Sequence, residues 1–317
     1  MSEQNTQSPA KVRIRFNASA AKESACLLRT WLTVIEGYKE SVPNNDIVFG
    51  SAIHAYIKTM HLTNGNFALA SQEALAVWNT PKKIKPKKEY MENTTYLLLT
   101  CQQVWTALMG REFKTLTDVN GVPLVEKQFS IPYYVDDKVE VTLEGTIDDL
   151  CKHTHGAYAV NDYKSTSLWD KEGYLLGYEL SPQLMFYVMA VEHYGKEFPD
   201  SIFAAMTKHG VHSFVTGIFL AGRDKDVEIH NSAVIKFADD KMQEFRTMLH
   251  NTIMRLVQHV HAGTKPMREG MFNGACQTVY GLCKFFSVCN AKDETLARYM
   301  LKIYFKQTAY DPLNHDQ

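Results

Sequence analysis

The chain has 317 residues, 45% of them hydrophobic and 22% charged, enough apolar material for a substantial core in one large domain or two ordinary ones. Its net charge of −1 excludes attraction of nucleic acid by the chain as a whole, so any such binding has to come from local patches. No apolar run approaches the roughly 20 residues of a membrane span, and the polar residues 1–10 lack the charged and apolar regions of a secretory signal, which predicts a cytoplasmic protein with a disordered lead over residues 1–16.

Apolar periodicity then predicts helices over about 17–38, 46–62, 66–79 and 88–114. The first carries Cys26. The second carries His54 in Phe49-Gly50-Ser51-Ala52-Ile53-His54, where Gly50, one turn earlier, lets a backbone or ligand approach closely. A lone helical histidine is more often structural than a ligand, but neutral imidazole readily binds metals such as Mn²⁺. Between the third and fourth helices, Pro81-Lys82-Lys83-Ile84-Lys85-Pro86-Lys87-Lys88 holds five lysines, read either as a solvated loop or as a contact for phosphates.

Strands follow near 122–133, 138–151 and 156–165. The runs Val139-Glu140-Val141-Thr142-Leu143 and Ala157-Tyr158-Ala159-Val160 flank His153-Thr154-His155-Gly156, which has turn character. An antiparallel hairpin centred near His155 places Asp148 opposite Asp162, with Cβ atoms about 4.5–5.5 Å apart; facing like charges are destabilising, and a divalent cation would remove the conflict. Strand alternation puts Lys164 on the face of Asp162, with Asn161 and Tyr163 on the other. Asp162-Tyr163-Lys164 alone also fits a solvated strand edge.

A helix near 179–195, starting at Ser181 or Pro182, sets Gln183 and Tyr187 four apart on one face, either as buried polar tips or as groups that hold a phosphate or the lysine. Strands near 201–207 and 213–220, a long helix near 233–262, a cysteine-bearing loop and a terminal helix near 293–306 complete a mixed sheet inside a helical wrapping. Of the six cysteines, Cys276, Cys283 and Cys289 cluster in that loop, and without a secretory signal they point to metal rather than disulfides. Cys26 is the best fourth ligand for a tetrahedral zinc or an iron–sulfur centre; apolar packing is the other explanation of the cluster. Cys101 and Cys151 are expected as buried free thiols.

Taken in chain order, Cys26, Gly50-x-x-x-His54, Gly145-x-x-Asp148, Asp162-x-Lys164, Gln183-x-x-x-Tyr187 and the three late cysteines resemble the PD-(D/E)XK nuclease superfamily over about residues 17–290. The resemblance is closest to its RecB-like branch with an iron–sulfur cluster, which includes the AddB nuclease domain, CRISPR-adaptation exonucleases and phage-encoded relatives. It implies an α/β, restriction-endonuclease-like mixed β-sheet core (αβββαβ) with helical wrapping at both ends. One nuclease domain over 17–317 is implied, with a helical region to 115, a core over 116–220 and a helical, cysteine-rich region from 221.

The resemblance further implies that His54, Asp148 and Asp162, with the Tyr163 carbonyl, hold Mg²⁺ or Mn²⁺, and that Lys164 positions or activates the attacking water. Gln183 and Tyr187 would orient the lysine or the DNA. Cys26, Cys276, Cys283 and Cys289 would hold a [4Fe-4S] cluster, with zinc as the alternative. Two departures stand out: six residues separate Cys276 from Cys283 where many relatives have two, and Asp162 replaces the commoner Glu. Glu126, on the first strand, is held in reserve as a further acidic group near the metal.

The expected activity is metal-dependent DNA hydrolysis from free ends, with endonuclease activity and strand preference left open. The alternatives are a non-catalytic nucleic-acid-binding module with a cysteine-ligated staple, and a zinc-stapled structural protein. A recombination or replication partner protein, and a bacterial or phage-infected host cytoplasm, follow from the resemblance alone.

Overall fold

The computed structural model describes residues 11–82, 93–168, 170–220, 227–278 and 281–308. Its elements run β1 (Val12–Phe16), α1 (Ala18–Glu23), α2 (Leu27–Thr30), β2 (Tyr38–Glu40), α3 (Asn45–Leu62), α4 (Phe67–Trp78) and α5 (Thr94–Gly110). Next come β3 (Phe113–Thr115), β4 (Val125–Val135), β5 (Val139–His153), β6 (Tyr158–Thr166), α6 (Lys171–Leu176), α7 (Pro182–Glu197) and α8 (Ile202–His209). The order ends with β7 (Val211–Phe219), β8 (Glu228–Asn231), α9 (Asp239–Ala262), β9 (Gln277–Thr278), β10 (Gly281–Leu282), α10 (Phe286–Cys289), α11 (Glu294–Tyr304) and β11 (Phe305–Gln307). These elements fall into two compact units, one of residues 42–128 and 146–239, the other of residues 1–41, 129–145 and 240–317.

In the unit of 42–128 and 146–239, side-chain oxygens of Asn44, Asn66 and Asn93 accept bonds from the first-turn amides of α3, α4 and α5, which fixes where each helix begins. The apolar stripe of α3, including Val48, Phe49, Ile53, Tyr56 and Met60, packs with Trp78 of α4 and Leu97 of α5 over Tyr163, Ile218 and Leu220. Residues 149–153 of β5 pair antiparallel with β6 and with β3; β6 pairs parallel with β7, and β7 antiparallel with β8. Strand alternation turns Tyr163 toward α3–α5 and Asp162 to the opposite face, where Gln183 of α7 reaches it. The result is a mixed α/β architecture with a central mixed sheet and flanking helices, and α3–α5, β4–β6, α7 and β7 follow the αβββαβ order of a restriction-endonuclease-like core.

Segment 201–207, expected as a strand, is helix α8. The Ser201 hydroxyl caps it by accepting from the Ala204 amide at 3.3 Å, and Gly210, at φ +83°, ends it. Its close fit against α7 is set by Gly195, where a Cβ would stand 2.4 Å from Thr207 Oγ1 and 2.8 Å from the Phe203 carbonyl oxygen. Strand β8 and the short β3 were not expected.

In the other unit, Val12-Arg13-Ile14-Arg15-Phe16, assigned by sequence to the disordered lead, forms β1, paired parallel with residues 139–143 of β5. Its alternation explains the correction: Ile14 and Phe16 are fully buried while Arg13 and Arg15 point away. The predicted helix over 17–38 breaks into α1, α2 and a π-turn over Trp31–Ile35 before β2, which pairs antiparallel with β11. Leu32, Phe285, Val288, Leu301 and Phe305 form a core there. Among the described residues, no helix is long and apolar enough to cross a membrane.

Candidate metal centre

The β5–β6 register pairs Asp149 with Asn161 and Leu150 with Val160, so the next position along sets Asp148 opposite Asp162, as the hairpin argument requires. Gly156, at φ +97°, turns the chain between them and donates its N–H to the His153 carbonyl at 2.8 Å. Asp148 and Asp162 are both buried, and the Tyr163 N–H donates to Asp148 Oδ2 at 2.8 Å.

α3 delivers His54 to the same place. A Cβ on Gly50 would stand 3.0 Å from Ser165 Oγ, so glycine there lets the helix lie close to β6. His54 Nε2 lies 3.1 Å from the Tyr163 carbonyl oxygen, while Nδ1 lies 3.2 Å from Glu126 Oε1 and 3.7 Å from Asp148 Oδ2. His54, Glu126 and Asp148 each offer a ligand atom, and these atoms all lie within 4.8 Å of one another. Two carboxylates, an imidazole and an adjacent carbonyl suit Mg²⁺ or, with its greater tolerance of nitrogen, Mn²⁺.

Glu126, held in reserve by sequence, therefore belongs to the converging group. It adopts φ +47°, the left-handed region that disfavours side chains, inside strand β4. Nothing in Leu124-Val125-Glu126-Lys127 signals that distortion. Asp162 stands beside this group rather than in it: its carboxylate meets Lys164 Nζ at 2.7 and 2.9 Å and accepts from Gln183 Nε2 at 2.8 Å. Gln183 Nε2 also donates to the Tyr187 hydroxyl at 2.8 Å, so the Gln183–Tyr187 face of α7 is turned onto the carboxylate beside Lys164.

The electrostatics fit a cation-seeking site. Burial raises Asp148 well above the ordinary carboxylate range, and Asp162 and Glu126 push the same way. Burial alone would lower His54, but Asp148 and Glu126 overcome it and raise the imidazole from 6.5 to about 9. Burial also works against charge on Lys164, yet Asp162 and Asp148 raise its pKa above the usual lysine value. Burial, then Asp148 and Asp162, lift the Tyr187 phenol. A divalent cation would neutralise the negative charge that adds to these shifts.

Of the lysine run, Lys83, Lys85, Lys87 and Lys88 lie outside the described residues; Lys82 sets its ammonium 3.6 Å from the centre of the Trp78 ring. Cys101 and Cys151 are buried thiols, and burial raises Cys101 to about 12 and Cys151 well above its usual value. Cys26 and Cys276 flank Gly270, whose Cβ would stand 3.0 and 3.4 Å from their sulfurs. The Cys283 N–H donates to the Cys276 carbonyl at 2.8 Å. Burial raises Cys289 to about 11, with Cys283, Cys26 and Cys276 adding to the effect. Among the described residues the four thiols do not form a group within the 4.8 Å reach that His54, Glu126 and Asp148 satisfy.

A model of the PD-(D/E)XK nuclease superfamily matches residues 18–290. No curated protein matches the chain. Among solved structures, one titled "Crystal structure of SSO0001" is similar at 11% identity and a TM-score of 0.27, over 74% of this chain and 84% of that one.

Proposed function

The chain belongs to the PD-(D/E)XK nuclease superfamily, and on that premise we propose that it is a divalent-metal-dependent DNA exonuclease of the RecB-like branch, working from free ends. Membership implies a nucleic-acid substrate and phosphodiester hydrolysis. The observation that carries the reading is the convergence of His54, Glu126 and Asp148 on one point, with the Asp162–Lys164 pair at its edge.

In this reading His54, Glu126 and Asp148 hold Mg²⁺ or Mn²⁺, with Asp162 and the Tyr163 carbonyl as further oxygen donors. The cation supplies Lewis-acid polarisation of the phosphate and activation of water. Lys164, kept protonated by Asp162, donates hydrogen bonds to charge developing on the phosphate oxygens. Gln183 holds Asp162 in place and is itself braced by Tyr187. Cys26, Cys276, Cys283 and Cys289 are proposed as ligands of a structural iron–sulfur cluster, zinc being the alternative. What supports this is the placing of Cys26 and Cys276 about one glycine; a centre with several metal atoms also spreads its thiolates farther apart than a single ion does.

Purified protein incubated with end-labelled linear and with circular DNA plus Mg²⁺ or Mn²⁺ should shorten only the linear form. Loss of neither substrate, or equal digestion by the Asp148→Ala and Lys164→Ala variants, refutes the nuclease reading; digestion of circles refutes the requirement for ends. Anaerobically purified protein should show a broad visible absorption band of iron–sulfur charge transfer that is lost in Cys26→Ser; zinc without iron overturns the cluster.

A further inference from the structure

Behind the candidate metal centre, on the face of the sheet turned to α3–α5, lies a second group of charges outside the metal-binding set. Asp149 follows Asp148 on β5 and so points to the opposite face; it is fully buried. The Arg111 guanidinium, from the end of α5, bonds Asp149 Oδ2 with its Nη2 and has 6% side-chain exposure. The Tyr163 hydroxyl donates to the same Asp149 oxygen at 2.9 Å, and the guanidinium carbon lies 6.0 Å from the Tyr163 ring centre. The charges are so deeply placed that Asp149 Oδ1 and Arg111 Nη1 have no hydrogen-bond partner among the described residues.

A buried pair of this kind is expensive. Removing two ions from water costs several kcal/mol each, and well-packed apolar residues of similar volume are often as stable or more so. Stability alone is therefore a poor reason for Arg111 and Asp149 to be here. The geometry supplies a better one, because Tyr163 touches both faces. Its side chain is tied to Asp149, its N–H donates to Asp148 at 2.8 Å, and its carbonyl oxygen lies 3.1 Å from His54 Nε2.

We propose that Arg111 and Asp149 are positioning residues that lock the Tyr163 side chain, and through the Tyr163 backbone fix the spacing of Asp148 and His54 in the metal centre. The inference rests on the reading of His54, Glu126 and Asp148 as metal ligands. The lock closes on one oxygen: the Tyr163 hydroxyl and the Arg111 guanidinium both donate to Asp149 Oδ2. Burial works against charge on Arg111, and the adjacent Asp149 carboxylate holds the guanidinium protonated.

The test is a Mn²⁺ titration followed by electron paramagnetic resonance, with the metal alone as probe and the signal lost in Asp148→Ala taken as the site. Tyr163→Phe keeps the backbone, the ring and its packing and removes only the hydroxyl. It should fold as the parent does and bind Mn²⁺ about 10-fold more weakly, within the ~10–100-fold range for residues that orient metal ligands. Cleavage should fall through kcat with KM for DNA unchanged. The double variant Arg111→Met/Asp149→Leu removes both charges while keeping apolar bulk. It should be at least as resistant to denaturant as Arg111→Met alone yet show the same weakening of Mn²⁺ as Tyr163→Phe.

If Tyr163→Phe and the double variant both bind Mn²⁺ as tightly as the parent, the positioning role is overturned and the pair is structural only. If the parent shows no Mn²⁺ signal that depends on Asp148, the metal-centre reading itself fails, a result distinct from the first.

Discussion

Glu126 is where folding and metal binding should pull in opposite directions. Its φ of +47° places a residue with a Cβ in the left-handed region, at a cost of roughly 1–2 kcal/mol. Its side chain meanwhile stands 3.2 Å from His54 and helps close the ligand group. Glu126→Ala and Glu126→Gly both remove the carboxylate, but only glycine relieves the backbone. Glycine loses more freedom on folding, about 0.5–1 kcal/mol, so the Gly variant should exceed the Ala variant in stability by about 1 kcal/mol. In a chain of this size that amounts to roughly 2 °C in Tm.

Both variants should lose metal. A carboxylate and a divalent cation about 4 Å apart at an effective dielectric of about 20 attract by on the order of 8 kcal/mol, twice the value for a unit pair. After the desolvation of the carboxylate is subtracted, about 2–3 kcal/mol remains, which weakens Mn²⁺ by roughly 30- to 140-fold. Chemical denaturation of the metal-free proteins and Mn²⁺ titration measure the two quantities separately. An Ala variant as stable as the Gly variant would show that the backbone at 126 is not strained. Parent-like Mn²⁺ affinity in both would remove Glu126 from the ligand set.

Lys164→Met should cut cleavage by about 10²–10³-fold, the usual loss for one donor to developing charge, while Mn²⁺ affinity stays within a few-fold; an equal loss of both would make the lysine a metal-site residue instead. His54 has a folded pKa of about 9 against 6.5 unfolded, so its contribution to the stability of the metal-free protein is fully present below pH 6.5 and disappears as pH rises through about 9. The stability gap between parent and His54→Gln should shrink over that window in denaturation curves, and a constant gap refutes the ion pairing. Metal uptake near pH 7.5 should release a proton from His54, seen in calorimetry as a heat that varies with the ionisation enthalpy of the buffer. Gly195→Ala should destabilise by about 1–3 kcal/mol, because the added Cβ meets the Phe203 backbone and not only the Thr207 side chain; a parent-like denaturation midpoint would mean that α7 and α8 separate freely.

The parts of this fold that were readable from sequence are those set by local geometry. The hairpin register follows from a turn at His153–Gly156 and period-two strands, and the Gln183–Tyr187 face follows from one helical turn after Pro182. Segment 12–16 was misread although it alternates, because it becomes a strand by pairing with residues 139–143, far along the chain. Segment 201–207 was expected as a strand, yet Ala204, Ala205, Met206 and Lys208 favour helix, and a capping serine and a terminating glycine close one on α7. Glu126 was legible only as an acidic residue in reserve near the metal; its left-handed backbone gave no signal, and neither did the Arg111–Asp149 pair. One depends on a single φ, the other on two residues brought together by a helix end and a strand.

The alternation that made the hairpin legible also explains why a metal centre and an ion pair can be built from neighbouring residues. Asp148 and Asp149 are adjacent, as are Asp162 and Tyr163, and in each pair one side chain faces α7 while the other faces α3–α5. Carboxylates crowded together repel one another and move apart unless the backbone that carries them is held. Here the holding residue is the next one in sequence, anchored in a buried network that water does not screen. Substitutions on the α3–α5 face should therefore alter chemistry on the α7 face without touching substrate. Their effects on Mn²⁺ affinity should not add to those of Asp148 or His54 substitutions, because both act on the same ligand geometry. Additive effects in a Tyr163→Phe/His54→Gln cycle would mean that the two faces act independently.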